Sequence, residues 1–99
     1  MWQKVAKVSD IPQDGGIVVE VGGQQVAVFK AGEKFYAIDN ICHHQGGPLG
    51  EGYLDGTTVT CPWHAWTYDV ATGDCQSVPG VTQKCFQVKV EGDDVLIEV

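Results

Sequence analysis

Two short groups of cysteine and histidine are the residues of this chain best suited to chemistry. The first is Cys42-His43-His44 and the second is Cys61-Pro62-Trp63-His64, with 16 residues between them. Thiolate sulfur and imidazole nitrogen both bind metal ions, and two such loops can converge on one centre. Two cysteines and two histidines are the ligand set of a structural zinc site, and also of one type of iron–sulfur cluster.

The chain contains four cysteines, which in a secreted domain could form two disulfides. Two of them stand beside histidines at ligand spacing, so metal binding is the favoured interpretation. Cys75 and Cys85 are expected to be free thiols packed in the base domain. Residues 1–10 lack the continuous hydrophobic segment of a secretory signal, so we expect a cytoplasmic protein.

Size and charge narrow the classes of function. A chain of 99 residues is expected to form a single domain, for which a metal centre is a useful source of stability. Thirteen acidic and six basic residues give a formal net charge of −7. This excess argues against non-specific binding to nucleic acid or to anionic membranes, and no apolar stretch is long enough for a membrane span. An acidic protein is suited to a partner with a basic patch.

The elements that position the two loops are predicted to be β-strands. Short segments rich in Val, Phe and Tyr alternate with glycine-containing turns, and no segment has a helical period. The predicted strands are 5–8, 16–21, 24–30, 34–39, 85–90 and 94–99. Gly22-Gly23 predicts a tight hairpin turn, and Phe86, Val88 and Val90 predict the inward face of one half-buried strand. Base strands are therefore expected in about 1–40 and 83–99, with a ligand-bearing insert in about 41–82.

The segment from Cys42 to Asp74 resembles the Rieske ferredoxin family. The motifs that carry this resemblance are Gly46-Gly47-Pro48-Leu49, Gly56, Cys61-Pro62-Trp63-His64 and Tyr68-Asp69, and the strand pattern extends it to nearly the whole chain. The resemblance implies an all-β, antiparallel Rieske-like sandwich with a small cluster-binding subdomain inserted between the base strands. It also implies one [2Fe–2S] cluster per chain, with Cys42 and Cys61 on one iron and His44 and His64 on the other.

By the same resemblance, Val78-Pro79-Gly80 would cover the cluster from a third side, although Pro79 could equally be an ordinary turn proline. Rieske proteins of cytochrome bc complexes have a disulfide between the two loops, and this chain has Gly47 and Trp63 at those positions. Trp66 replaces a serine whose hydroxyl would lie near the cluster, whereas Tyr68 matches a tyrosine. These departures predict a reduction potential near the lower end of the Rieske range, about −150 mV.

The residues left over do not form a catalytic site. A non-haem iron oxygenase needs two more histidines and a carboxylate, and only His43 remains; it is expected to be an exposed side chain between ligands. No glycine-rich nucleotide motif follows a strand and opens a helix. We therefore expect a monomeric one-electron carrier, not an enzyme, between a flavin-dependent reductase and a terminal oxygenase or similar enzyme.

Two alternatives stay open on the sequence alone. The chain resembles the small Rieske-like subunit of assimilatory nitrite reductases, which would make it an accessory part of an enzyme complex. The four ligands could also bind a structural zinc ion, although zinc sites usually group cysteine with cysteine. Trp63 and Trp66 could shield the cluster or contact a partner, and local hydrophobic packing is an equal alternative for both.

Overall fold

The structure is a computed structural model that describes residues 1–41, 47–63 and 66–98. Within these residues the chain forms β-strands and two 3₁₀ turns, Val8–Asp10 and Leu49–Glu51, and no α-helix. The strands are β1 (Trp2–Lys7), β2 (Gly15–Val21), β3 (Gln24–Ala31), β4 (Lys34–Asp39), β5 (Tyr53–Asp55), β6 (Thr58–Thr60), β7 (Thr67–Asp69), β8 (Cys85–Phe86), β9 (Val88–Glu91) and β10 (Asp94–Glu98). No helix in the described ranges is long and apolar enough to cross a membrane.

The strands form three antiparallel sheets, with the orders β1-β10-β9, β2-β3-β4-β8 and β5-β6-β7. The first two sheets combine strands from both ends of the chain, and we call them the base. The third sheet lies between β4 and β8 in the sequence, inside the predicted insert. The predicted all-β antiparallel sandwich is therefore confirmed.

Strand β3 joins the two halves of the core because both of its faces are buried. Val26 and Val28 belong to the hydrophobic cluster that the base sheets share, together with Val95 and others. Ala27 and Phe29 point to the opposite face and pack with residues of the third sheet. This alternation follows from the two-residue period of a strand. A strand that is covered on both faces appears in the sequence as a continuous apolar run.

The hairpin between β2 and β3 has the predicted two-residue turn, since Val21 pairs with Gln24. Gly22 and Gly23 have φ values of 58° and 79°. Two consecutive positive φ values are the geometry of a type I′ turn. A Cβ atom disfavours positive φ, so glycine suits both positions. The glycine pair therefore fixes the register of these two strands.

The prediction of one strand over residues 85–90 is wrong. Cys85 and Phe86 pair with β4 in one sheet, whereas Val88–Glu91 pairs with β10 in the other. Val88 and Val90 pair with the buried residues Ile97 and Val95 and share one face of β9, but β9 is an edge strand and Val90 is 42% exposed. The chain passes from one sheet to the other between β8 and β9, and hydrophobic alternation alone does not distinguish this crossing from a continuous strand.

Candidate metal centre

Of the four predicted ligands, Cys61 lies within the described residues. Cys42, His44 and His64 lie outside them, as does His43. The described part of the site consists of Cys61, the ends of both loops and the elements that hold them.

Cys61 directly follows β6 and begins the second ligand loop. Its side chain is almost completely buried, with 2% of the residue exposed. Its backbone N–H donates to the carbonyl of Trp66 over 2.7 Å, and this bond closes the loop on itself. The N–H of Trp63 donates to the Cys61 Sγ atom at 3.4 Å. An amide donor directed at a sulfur stabilises negative charge there, as a thiolate ligand requires.

Gly47 ends the first ligand loop and packs directly against this sulfur. A Cβ atom added at Gly47 would lie 2.6 Å from Cys61 Sγ and 3.1 Å from Cβ of Trp63. Both distances are shorter than ordinary van der Waals contact. The two loops therefore meet at Gly47, Cys61 and Trp63, and only glycine permits this approach.

The chain that leads into the first loop is held by Asn40, which is fully buried. Its Nδ2 atom donates to Oε1 of Gln25 over 3.0 Å, and its Oδ1 atom accepts from the N–H of Gly50 over 2.7 Å. Its carbonyl accepts from the N–H of Leu49 over 2.8 Å. A bridge between Ile41 and Pro48 completes this arrangement. Asn40 thus ties both ends of the loop to β3.

Sequence reasoning missed Asn40. Its position two residues before a predicted ligand is the signal that could have identified it. A polar residue at the end of a strand that opens a loop commonly satisfies backbone groups of that loop.

The segment predicted to cover the cluster from a third side lies against the same hydrophobic core. Val78 packs there, and its N–H donates to Sγ of the buried Cys75 over 3.4 Å. Pro79 is exposed, and Gly80 has a φ of 87°. Coverage of the cluster by Pro79 stays a prediction.

Three aromatic residues in and directly after the second loop differ in exposure. Tyr68, in β7, is fully buried in the same hydrophobic cluster as Cys61, and Trp66 packs partly buried against that cluster. Trp63 is 50% exposed, and Ile41, beside the first loop, is 45% exposed. Local packing therefore accounts for Trp66, whereas half of Trp63 is accessible for contacts outside the chain.

Cys75 and Cys85 form no disulfide and are free thiols, as predicted. Cys75 is buried, but not between the two base sheets. It packs in the hydrophobic cluster that the third sheet shares with β3 and β4. The expectation that Cys85 is packed in the base domain is wrong, because this residue is exposed at the start of β8. β8 is a short edge strand of the base, so one side of Cys85 faces solvent.

The Cys85 thiol is expected to make stability fall at alkaline pH. Partial burial of the thiol, followed by the negative charges of Asp74 and Asp69, raises its pKa above the ordinary value. Folding therefore favours the protonated thiol. Below the unfolded-state pKa the thiol is protonated in both states, and as pH rises beyond about 9 the unfolded chain gains stability by ionising. Urea unfolding of wild type and Cys85→Ser from pH 7 to 10 measures this alkaline loss of folding stability.

The expected result is a wild-type midpoint that falls relative to the serine variant only above about pH 8.5. A constant difference across the whole range would contradict the raised pKa. Asp74→Asn is the companion variant, and it should reduce the alkaline loss because it removes one of the two charges.

A family model for the Rieske [2Fe-2S] domain matches residues 1–96. The chain belongs to this family. A curated relative, the ferredoxin component of a naphthalene 1,2-dioxygenase system from Pseudomonas aeruginosa, is 34% identical over 100 residues. The alignment covers 99% of this Rieske chain and 95% of that ferredoxin. The predicted family is confirmed.

Solved structures agree with the Rieske assignment. The ferredoxin in a complex of reduced oxygenase and oxidized ferredoxin of carbazole 1,9a-dioxygenase is similar, with a TM-score of 0.87 and 36% identity. That match covers 97% of this chain and 91% of the solved one. A nitrite reductase (NADPH) small subunit also has a TM-score of 0.87, with 19% identity over 100% and 99% of the two chains. This second likeness is one of fold alone.

Membership of the Rieske family assigns one [2Fe–2S] cluster to the chain, in place of the alternative zinc ion. The described residues fit such a cluster. Cys61 offers a buried sulfur with an amide donor directed at it, and Gly47 adds no side-chain atom beside that sulfur. A second cysteine and two histidines stand in the adjoining segments of the sequence.

Proposed function

We propose that this Rieske protein is a soluble one-electron carrier of the cytoplasm that passes electrons to a terminal oxygenase. It acts as a monomer and receives its electrons from a flavin-dependent reductase. The observation that carries the proposal is the likeness to a ferredoxin component over 99% of this chain and 95% of the relative. A chain that matches a carrier from end to end supports the carrier role, and catalysis then belongs to the partners.

In this proposal Cys42, His44, Cys61 and His64 hold the cluster, and the insert of residues 41–82 presents it to partners. When bound, the cluster accepts and releases one electron. The protein contributes the surroundings: Cys61 is buried, the Trp63 amide stabilises its charge, and Gly47 allows the two loops to close.

The charge distribution supports docking at the cluster end. Residues 41–82 contain no lysine or arginine and four acids, Glu51, Asp55, Asp69 and Asp74. All six basic residues of the chain are lysines in the base segments 1–40 and 83–99. An insert of uniformly negative formal charge attracts a partner with a basic patch, and such attraction raises association rates.

The function is tested by spectroscopy followed by electron transfer. The purified protein should contain iron and acid-labile sulfide in equal amounts and give a Rieske EPR signal after dithionite reduction. The reductase and oxygenase of a naphthalene dioxygenase system serve as probes. Catalytic amounts of the reductase with NADH should bleach the oxidised cluster, and the oxygenase should then reoxidise it. A cluster that neither protein reduces nor reoxidises would contradict the carrier role with these partner classes.

Reversing two charges of the insert should slow electron transfer to a partner. Glu51→Lys with Asp55→Lys replaces two exposed acids and is expected to lower the second-order rate by about threefold to tenfold at low salt. The difference should shrink in high salt because screening weakens the field. Stopped-flow absorbance of the cluster during mixing with the partner measures the rate.

The matched control is Glu33→Lys with Asp93→Lys, which makes the same change of net charge at two exposed acids in base turns. This control should retain a rate closer to wild type. Equal slowing in both double variants would show that net charge alone matters, and would remove the support that the charge distribution gives to docking at the insert.

A further inference from the structure

Gln83 lies outside every strand, between the Val78–Gly80 segment and β8, yet only 4% of it is exposed. Its side-chain Nε2 atom donates to the carbonyl of Asp39 over 2.9 Å and to the carbonyl of Ile41 over 2.7 Å. Both amide hydrogens are thereby used. The side chain thus reaches across 42 and 44 positions of the sequence to contact one short stretch of backbone.

That stretch, residues 39–41, is the stem of the first ligand loop and leads directly to Cys42. On one side the stem is bonded to Gln25 and Gly50 through Asn40. On another it is bonded to Gln83. The stem is therefore held by two buried amide side chains, one of its own, Asn40, and one from a distant part of the chain, Gln83.

Gln83 is itself firmly placed by its backbone. Its N–H donates to the carbonyl of Gly73 over 2.7 Å. A Cβ atom at Gly73 would meet the Gln83 carbonyl oxygen, and Gly73 has a φ of 82°. The close packing of these two residues leaves the glutamine backbone little freedom, so its side chain acts as a rigid support.

The Oε1 atom of Gln83 is buried and has no hydrogen-bond partner among residues 1–41, 47–63 and 66–98. It shares an amide carbon with the Nε2 atom that contacts Ile41, so it lies beside the point where the ligand loop starts. Buried amide oxygens in folded proteins are nearly always hydrogen-bonded, and an exception calls for a specific reason.

We propose that Gln83 is a positioning residue for the cluster: it fixes the stem before Cys42 and offers a buried acceptor at the entrance of the first ligand loop. The inference rests on the proposed ligand set, because it acts through Cys42. Gln83 touches neither the cluster nor a partner in this proposal. Its role is to hold one ligand where the two irons require it.

The test compares Gln83→Met with Val95→Ala in the complete protein. Methionine has a similar length but lacks the amide donor and acceptor, whereas Val95 is a fully buried residue of the base cluster, which contains no residue of the stem. Loss of two hydrogen bonds should speed release of the cluster by about tenfold, measured as bleaching in the presence of a chelator. The EPR g values and the reduction potential of Gln83→Met should also shift.

Val95→Ala should lower the unfolding midpoint but leave the g values and the potential of wild type. Gln83→Asn is the second variant, since it keeps the amide but shortens its reach, and it should shift the same spectrum if Gln83→Met does not fold. Gln83 variants with wild-type g values, potential and release rate would overturn the proposal while the carrier role stands. A wild-type protein without any cluster would overturn both.

Discussion

Replacement of Cys61 by serine is expected to remove the cluster. The Cys61 sulfur is buried, accepts a hydrogen bond from the Trp63 amide and packs against Gly47, so the surrounding loops are built around this atom. Replacement of residues around metal ligands commonly costs 10- to 100-fold in metal affinity, so loss of a ligand should lower iron content by at least about tenfold. Iron and acid-labile sulfide per chain, with EPR of the reduced protein, measure the effect.

The chain offers a close control in Cys75. Cys75 is a free thiol buried in the same hydrophobic cluster as Cys61, and its Sγ likewise accepts a hydrogen bond from a backbone amide, that of Val78, at 3.4 Å. Cys75→Ser therefore makes the same chemical change in a similar environment and should retain the cluster. Retention of a normal cluster in Cys61→Ser, or its loss in Cys75→Ser alone, would show that the ligand assignment is wrong.

Alanine at position 47 is expected to be nearly as damaging, without altering any ligand. The added Cβ would lie 2.6 Å from Cys61 Sγ, and the loops would have to separate to admit it. Overpacking of this kind costs about 1–3 kcal/mol of stability. Because the displaced atom belongs to a proposed cluster ligand, cluster content should fall by about tenfold or more. Thermal unfolding and the iron content of Gly47→Ala, expressed beside wild type, provide the measurement.

Gly56→Ala separates steric exclusion at the site from a general cost of replacing glycine. Gly56 has a φ of 61°, and nothing lies within 4 Å of the Cβ position. Alanine there should cost about 1–2 kcal/mol through backbone strain alone. The cluster should stay fully loaded. If Gly47→Ala were loaded as completely as Gly56→Ala, the contact between the two loops would have no role in binding.

The sequence is informative where local pattern determines structure. Gly22-Gly23 predicts its hairpin because a type I′ turn needs two positive φ values, and the spacing of Cys61 and His64 suits one metal centre. The all-β class follows from the same kind of signal, since residues two apart share a face of a strand.

Contacts between distant parts of the chain were not predictable in this way. Gln83 reaches Ile41 across 42 positions, and neither residue belongs to a motif. The split between Cys85–Phe86 and Val88–Glu91 depends on which sheet offers each segment an open edge. Periodicity describes the faces of one strand but contains no information about its neighbours.

The confinement of lysine to the base has a practical consequence for attaching the protein to a surface. Five of the six lysines lie in base strands, Lys84 directly precedes β8, and the α-amino group of Met1 stands at the start of β1. Reagents that couple to primary amines will therefore immobilise the chain on an electrode by its base. Such coupling leaves residues 41–82 chemically unmodified, so a film prepared with ordinary amine chemistry will present the redox end to the solution.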